Sequence, residues 1–226
     1  MGKDNQSRVR QANKLKRKSA SRSPAERILI VTEGSKTEPL YLKEIRVSHK
    51  LSTANVSVHH SGYGTCPLNI VNYALDLFKN GSIEDSVNPK AFEKVFVVFD
   101  RDEHQKYFSA LEKVQSNAKK LKNDLREVVE LKAIVNVPCF ELWLLLHYEE
   151  VKAPIHRHEA YQRLKTYLQN YDKGCTDTYS QTRKHYEKAK VNAMKLSEVN
   201  TPWTEPESYT NVFELVDLLV NLNNKN

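Results

Sequence analysis

KVFVVFDRDEH, residues 94–104, decides how the rest of the chain is read. Five consecutive apolar residues, Val95 to Phe99, run straight into Asp100, Arg101, Asp102, Glu103 and His104. A short unbroken apolar run bounded by polar residues suits a strand buried on both faces. Its ending is unusual. Carboxylates as close as Asp100, Asp102 and Glu103 repel one another, so something positive is expected among them.

Working outward, RILIVT (27–32) is a second β-branched run, and it ends at Glu33-Gly34-Ser35. TEPLYLKEIRV then predicts a helix, with Thr37 as its N-cap and Pro39 near the first turn. NVSVHH (55–60) alternates weakly and reads as a strand, and SGYGTCP (61–67) as a turn-rich loop. In LNIVNYALDLFK (68–79), Ile70, Ala74, Leu75 and Phe78 fall at helical spacing. Beyond the central strand, residues 105–121 carry Phe108, Leu111, Val114 and Leu121 on one helical face. VVELKAIVNV (128–137) is a further strand, and after Pro138 FELWLLLHY is an apolar helix buried on most sides. Phe140 and Trp143 belong to that core rather than to a base-stacking platform. His147 falls at the helix end, where the dipole favours an imidazolium. Residues 156–169, 183–198 and 210–223 read as three helices joined by polar loops.

Strands alternating with helices up to residue 147 argue for an α/β fold, a parallel sheet with helices on both faces and a helical C-terminal extension. Right-handed crossovers bring the C-terminal ends of all the strands to one edge. Ligands of open sheets bind at that edge. The expected organisation is a basic disordered tail over 1–26, an α/β core over 27–150 and a helical part over 151–226 packed on it.

The chain has 226 residues and a formal charge of +7, placed unevenly. Residues 1–27 hold nine basic side chains against Asp4 and Glu26, so this segment carries the whole excess, and the rest balances at 26 against 26. Arg8, Arg10, Lys14, Lys16, Arg17 and Lys18 suit contact with a phosphate backbone of RNA or DNA without sequence readout. The same composition also describes a solvated tail with no specific partner. No apolar run approaches the ~20 residues of a membrane span, and the first residues lack the apolar stretch of a secretory signal. A cytoplasmic protein without a membrane partner is therefore expected. Cys66, Cys139 and Cys175 are isolated and point to neither a zinc site nor a disulfide framework.

The chemistry collects at the strand ends. In extended backbone, Asp100 and Asp102 would point one way and Arg101 the other. With Glu33 from a neighbouring strand they form an all-oxygen set, which a hard ion such as Mg²⁺ or Mn²⁺ would neutralise. A solvated turn, with Asp102 capping the next helix, is the plainer alternative for so short a pattern. Glu38, one helical turn past Glu33, and Glu141, opening the apolar helix, are further candidate ligands or simply first-turn glutamates favoured by the helix dipole. His104 adjoins the acidic cluster as a candidate acid/base or an exposed loop residue. Lys173, in NYDKGCTDTY (170–179), is a candidate phosphate contact.

VTEGSKTEPLYL (31–42) followed by VVFDRDEH (97–104) resembles the Toprim fold of nucleotidyl transferases and nucleases, marked by a glutamate after the first strand and a D-x-D after the third. NVPCFELWLLLHY (136–148) and YTNVFELVDLL (209–219) extend the resemblance to the RloB-like family of bacterial Toprim-related proteins. Its members are associated with abortive infection and with loci near restriction-modification genes, often beside an ATPase partner. The resemblance covers most of 27–220. It implies a Toprim-like Rossmannoid sheet, Glu33 as general acid/base or metal ligand, and Asp100 and Asp102 as Mg²⁺ ligands. The implied activity is metal-dependent phosphodiester hydrolysis in anti-phage defence. The competing class is a non-catalytic subunit that uses the same scaffold to bind nucleic acid or the ATPase. Strand transfer fits less well, since the chain lacks room for primase accessory domains and shows no nucleophilic tyrosine domain.

Overall fold

Neighbouring side chains of a strand face opposite sides of the sheet, so an all-apolar strand needs cover on both. In the computed structural model, which describes residues 26–102, 105–204 and 208–225, that cover is present. In β1 (Ile28–Thr32), Ile28 and Ile30 enter one core while Leu29 and Val31 enter the other. In β3 (Lys94–Asp100), Phe96 and Val98 join the first core, and Val95, Val97 and Phe99 the second. Together with β2 (Val56–His60) and β4 (Glu130–Val137) these strands form a parallel sheet in the order β2-β1-β3-β4. A short antiparallel strand, β5 (Tyr209–Thr210), adds to the β4 edge. The α/β reading, a mainly parallel sheet flanked by helices, is what the structure has.

Helices α1 (Thr37–Ser48) and α4 (Phe140–Leu146) supply the first core from one layer. Helices α2 (Pro67–Asn80) and α3 (Tyr107–Asn117) supply the second core from the opposite layer. The later helices α5 (Arg157–Tyr167), α6 (Thr178–Thr182), α7 (Tyr186–Val199) and α8 (Val212–Val220) all join the α1/α4 layer. This explains the composition of α4. All seven of its residues are buried, because α5 and α7 cover the side turned away from β4. Burying each of its leucines is worth about 1.5–3 kcal/mol. Trp143 is wholly enclosed, and its indole N–H finds the hydroxyl of Tyr41 at 3.1 Å.

Four local expectations are corrected. Thr37 opens α1 as a helical residue, and the cap position is Lys36, with no side-chain hydrogen bond. The C-terminal part holds a further helix, α6, and a strand, β5, both too short for a periodicity to show. His147 has a structural place, as expected, but not the expected charge. It is fully buried, Nδ1 lies 3.0 Å from the carbonyl of Trp143, and burial pushes its pKa down to about 4. Asp102 is the fourth, described below. The three cysteines are free thiols. Among the described residues no helix is long and apolar enough to cross a membrane.

Candidate active site

β1 and β3 are neighbours in space, yet the chain leaves β1 for β2 on one side and returns for β3 on the other. That reversal opens a crevice at the C-terminal ends of the two strands. Glu33 is the first residue past β1 and Asp100 the last of β3. The backbone N–H of Glu33 donates to Val98 at 3.0 Å, and the N–H of Asp100 donates to Glu33 Oε2 at 3.0 Å. Strand pairing therefore fixes this pair directly.

Asp100 is held at both oxygens. Asn136, opposite it on β4, donates to Oδ1 at 3.1 Å, and the N–H of Phe140 at the start of α4 donates to Oδ2 at 3.1 Å. Asn136 in turn accepts from the hydroxyl of Thr210 on β5 at 2.8 Å. A buried chain thus runs Thr210–Asn136–Asp100 across three strands.

Asp102 does not continue the strand. Its φ of 36° is left-handed, a region that aspartate enters more readily than most residues, so the expected same-side alternation with Asp100 fails. A turn carries it instead, with the N–H of Arg101 on the carbonyl of Asn136 at 2.9 Å and that of Asp102 on Pro138 at 3.2 Å. Nor does it cap α3, whose cap position is Lys106. Asp102 Oδ2 accepts from Arg157 Nη1 at 3.0 Å, while Oδ1 is buried without a hydrogen-bond partner. Arg101 points elsewhere, over the rings of Tyr107 and Phe108, and donates to the carbonyl of Thr204 at 3.1 Å.

Two more carboxylates come from helix starts. Glu38, in the first turn of α1, folds back over Gly34, where an added Cβ would lie 2.9 Å from its Oε2. A glycine is what lets the carboxylate approach so closely. Glu141, in the first turn of α4, is buried; its Oε1 accepts from the Tyr171 hydroxyl at 3.1 Å and lies 3.6 Å from Lys173 Nζ.

Crowded carboxylates in a dry crevice hold protons. Burial, then the charges of Glu38, Glu33 and Glu141, raise the pKa of Asp100 well above the carboxylate range. Burial and then Glu141 raise that of Glu38. Glu33 is pushed up to about 7 by burial, with Glu38 and Asp102 adding to the rise and the hydrogen bond from Asp100 opposing it. Lys173 is affected in the opposite sense: burial disfavours its charge, but Glu141 and its acidic neighbours outweigh this and raise its pKa.

Glu33, Glu38, Asp100, Asp102, Glu141 and Lys173 therefore come to one sheet edge. His104 and the basic residues Arg8, Arg10, Lys14, Lys16, Arg17 and Lys18 lie outside the described residues. Sequence reasoning missed Asn136, Arg157 and Tyr171. Of these only Asn136 left a trace, as a polar residue near the end of an apolar strand.

The donors are all oxygen, as Mg²⁺ or Mn²⁺ prefers. Among the described residues no three His, Cys, Asp or Glu side chains are already gathered as a ligand set. Asp100 is turned toward Asn136 and Phe140, and Asp102 is held by Arg157. The residues fit such an ion in chemistry: the buried, unpartnered Oδ1 of Asp102 and the raised pKa values of its neighbours mark where positive charge is wanted.

A family model described as RloB-like protein matches residues 28–219. No curated protein and no solved structure matches the chain.

Proposed function

The chain belongs to the RloB-like family, and from that premise we propose that it is a Mg²⁺- or Mn²⁺-dependent phosphodiesterase that cuts RNA or DNA. In this reading it serves bacterial anti-phage defence as an abortive-infection effector and acts with an ATPase partner. The observation that carries the reading is the joined Glu33–Asp100 pair at the topological switch point, ringed by Glu38, Asp102 and Glu141. A divalent ion held by Glu33, Asp100 and Asp102, with Glu141 and Glu38 as further carboxylates, supplies positive charge to the phosphodiester and acidifies water.

The chain's own groups do the rest. Glu33, with a pKa of about 7 before an ion binds, would either give up its proton and ligate the ion or, where Asp100 and Asp102 hold the ion without it, serve as the general acid/base. Asp100 is oriented by Asn136 and by the N–H of Phe140, so it stays in place when the charge around it changes. Lys173, anchored beside Glu141, presents a cation to a phosphate oxygen. The basic segment before residue 27 adds affinity that depends on salt and not on sequence.

The test is cleavage of pooled RNA and DNA by the purified protein in Mg²⁺ and in Mn²⁺, beside Asp100→Asn. Cleavage that disappears in the variant is the expected result. A variant that cuts as fast as its parent removes the assignment. The second reading, a non-catalytic scaffold subunit, is favoured by the absence of a ready ligand set among the described residues. It predicts no cleavage by either protein, with binding to nucleic acid or to the ATPase unaffected by Asp100→Asn.

A further inference from the structure

Arg157 occupies a place that the proposed chemistry leaves unexplained. It is the first residue of α5, its side chain is 47% exposed, and a single guanidinium nitrogen reaches Asp102. Two cavities meet at it. One, of about 380 Å³, is lined by Glu141, His158, Tyr161 and Lys173; the other, of about 360 Å³, by Arg101, Asp102, Pro138 and Ile155; His156 and Arg157 line both. Each is of the size that holds a small organic group such as one nucleotide.

The two partners of this ion pair are unequally placed. A pair with one half-exposed partner, joined by one hydrogen bond, is exchangeable. Guanidinium has five donors in a fork that matches a phosphate, and here one of them is used on Asp102. Asp102 is only 15% exposed, and its second oxygen is buried without a hydrogen bond, so it is under-served by this partner. Both groups improve if they separate, Asp102 onto a divalent ion and Arg157 onto a phosphate.

We propose that Arg157 is a latch: held to Asp102 by one hydrogen bond, it would give way to a divalent ion and then bind a phosphate of a polynucleotide strand that crosses from one cavity to the other. This rests on the metal-site reading above. Its consequence is that ion and strand load cooperatively, because each frees the group the other uses.

The experiment titrates Mn²⁺ into metal-free protein and follows free Mn²⁺ by electron paramagnetic resonance, for the parent, Arg157→Gln and Arg157→Lys. It then measures binding of a phosphorothioate-protected oligonucleotide in saturating Mn²⁺. With the latch removed, Arg157→Gln binds Mn²⁺ roughly 1.5- to 5-fold tighter. The same variant binds the oligonucleotide more weakly, and the slope of log affinity against log salt falls by about one. Arg157→Lys, which keeps the charge but not the fork, stays near the parent for Mn²⁺ and keeps the parent's salt slope for the oligonucleotide, with an affinity between those of the parent and Arg157→Gln. Unchanged or weaker Mn²⁺ binding by Arg157→Gln, with the parent binding normally, overturns the latch alone and makes Arg157 a support for Asp102. Failure of both parent and variant to bind Mn²⁺ overturns the metal reading and the latch with it.

Discussion

Replacing Glu33 by glutamine should make the metal-free protein more stable at alkaline pH. Glutamine has the same shape and keeps an oxygen to accept the N–H of Asp100, now given to Glu33 Oε2 at 3.0 Å. What it removes is a charge in a mainly buried position. The pKa of Glu33 rises from 4.5 to about 7 in the folded chain, which at 1.36 kcal/mol for each tenfold is about 3 kcal/mol. The sign follows from proton binding. The folded state holds this proton more tightly than the unfolded state does, so its stabilising effect is complete below 4.5 and is lost as the pH rises through 7. Glutamine has no such proton to lose. The variant should therefore match its parent near pH 4 and exceed it by about 3 kcal/mol at pH 8, roughly 6–12 °C in Tm for a domain of this size. Asp100 and Glu38 lose a negative neighbour in the same change, which adds in the same direction. Urea unfolding with EDTA at the two pH values measures the difference. Adding Mn²⁺ should raise the parent and leave the variant nearly unmoved. A variant less stable than its parent at pH 8 with EDTA would show that another group already neutralises Glu33, and would refute the reasoning.

Three further outcomes follow from the same geometry. Mn²⁺ binding near pH 6 should release protons, since Glu33 and Asp100 give theirs up to ligate; calorimetry in two buffers of different ionisation heat reads the number, and zero release at that pH contradicts the raised pKa values. Asn136→Leu should cost about 2–3 kcal/mol in urea unfolding at neutral pH, because Asp100 Oδ1 loses its 3.1 Å donor and the Thr210 hydroxyl its acceptor; a neutral result would mean that the buried chain across the strands is dispensable. Trp143→Ala should cost about 3–5 kcal/mol, and Trp203→Ala, at a 43% exposed position, about 1 or less; equal losses in thermal unfolding would displace Trp143 from the centre of the first core.

The strands and the carboxylate edge were legible because both depend on short-range pattern. The Val95–Phe99 run forces a doubly covered strand, and its right-handed crossovers bring Glu33 and Asp100 to one edge whatever the loops do. The features that escaped depend on partners distant in sequence. Arg157 lies 55 residues beyond Asp102, and no periodicity brings the two together. The left-handed turn at Asp102 arises from hydrogen bonds to Asn136 and Pro138, supplied by a different strand end. The charge of His147 escaped for a related reason: a helix end is wet only when nothing covers it, and the layer formed by α5 and α7 covers this one. Tyr171 and Lys173 belong to a loop that gains meaning only because Glu141 lies under it.

Among the described residues, the crowding of acids at the end of β3 is relieved by bound protons, by Arg157 and by Lys173. Raised pKa values keep protons on Asp100, Glu38 and, up to about neutral pH, Glu33. A half-exposed guanidinium sits on one oxygen of Asp102. Lys173 stands off Glu141 at 3.6 Å, longer than a direct hydrogen bond. A cluster selected only for stability would use close, bidentate partners or apolar residues in these places, as the part-exposed Arg27 does where it spans Glu93 and Asp124 at 2.6 and 2.7 Å at the opposite end of β1. The contrast within one sheet is the physical argument for function at the carboxylate edge. At one end of β1 opposite charges are matched closely. At the other, among the described residues, Asp102 meets Arg157 through one oxygen and Glu141 stands 3.6 Å from Lys173, an arrangement that a divalent ion and a phosphate would complete in the proposed function.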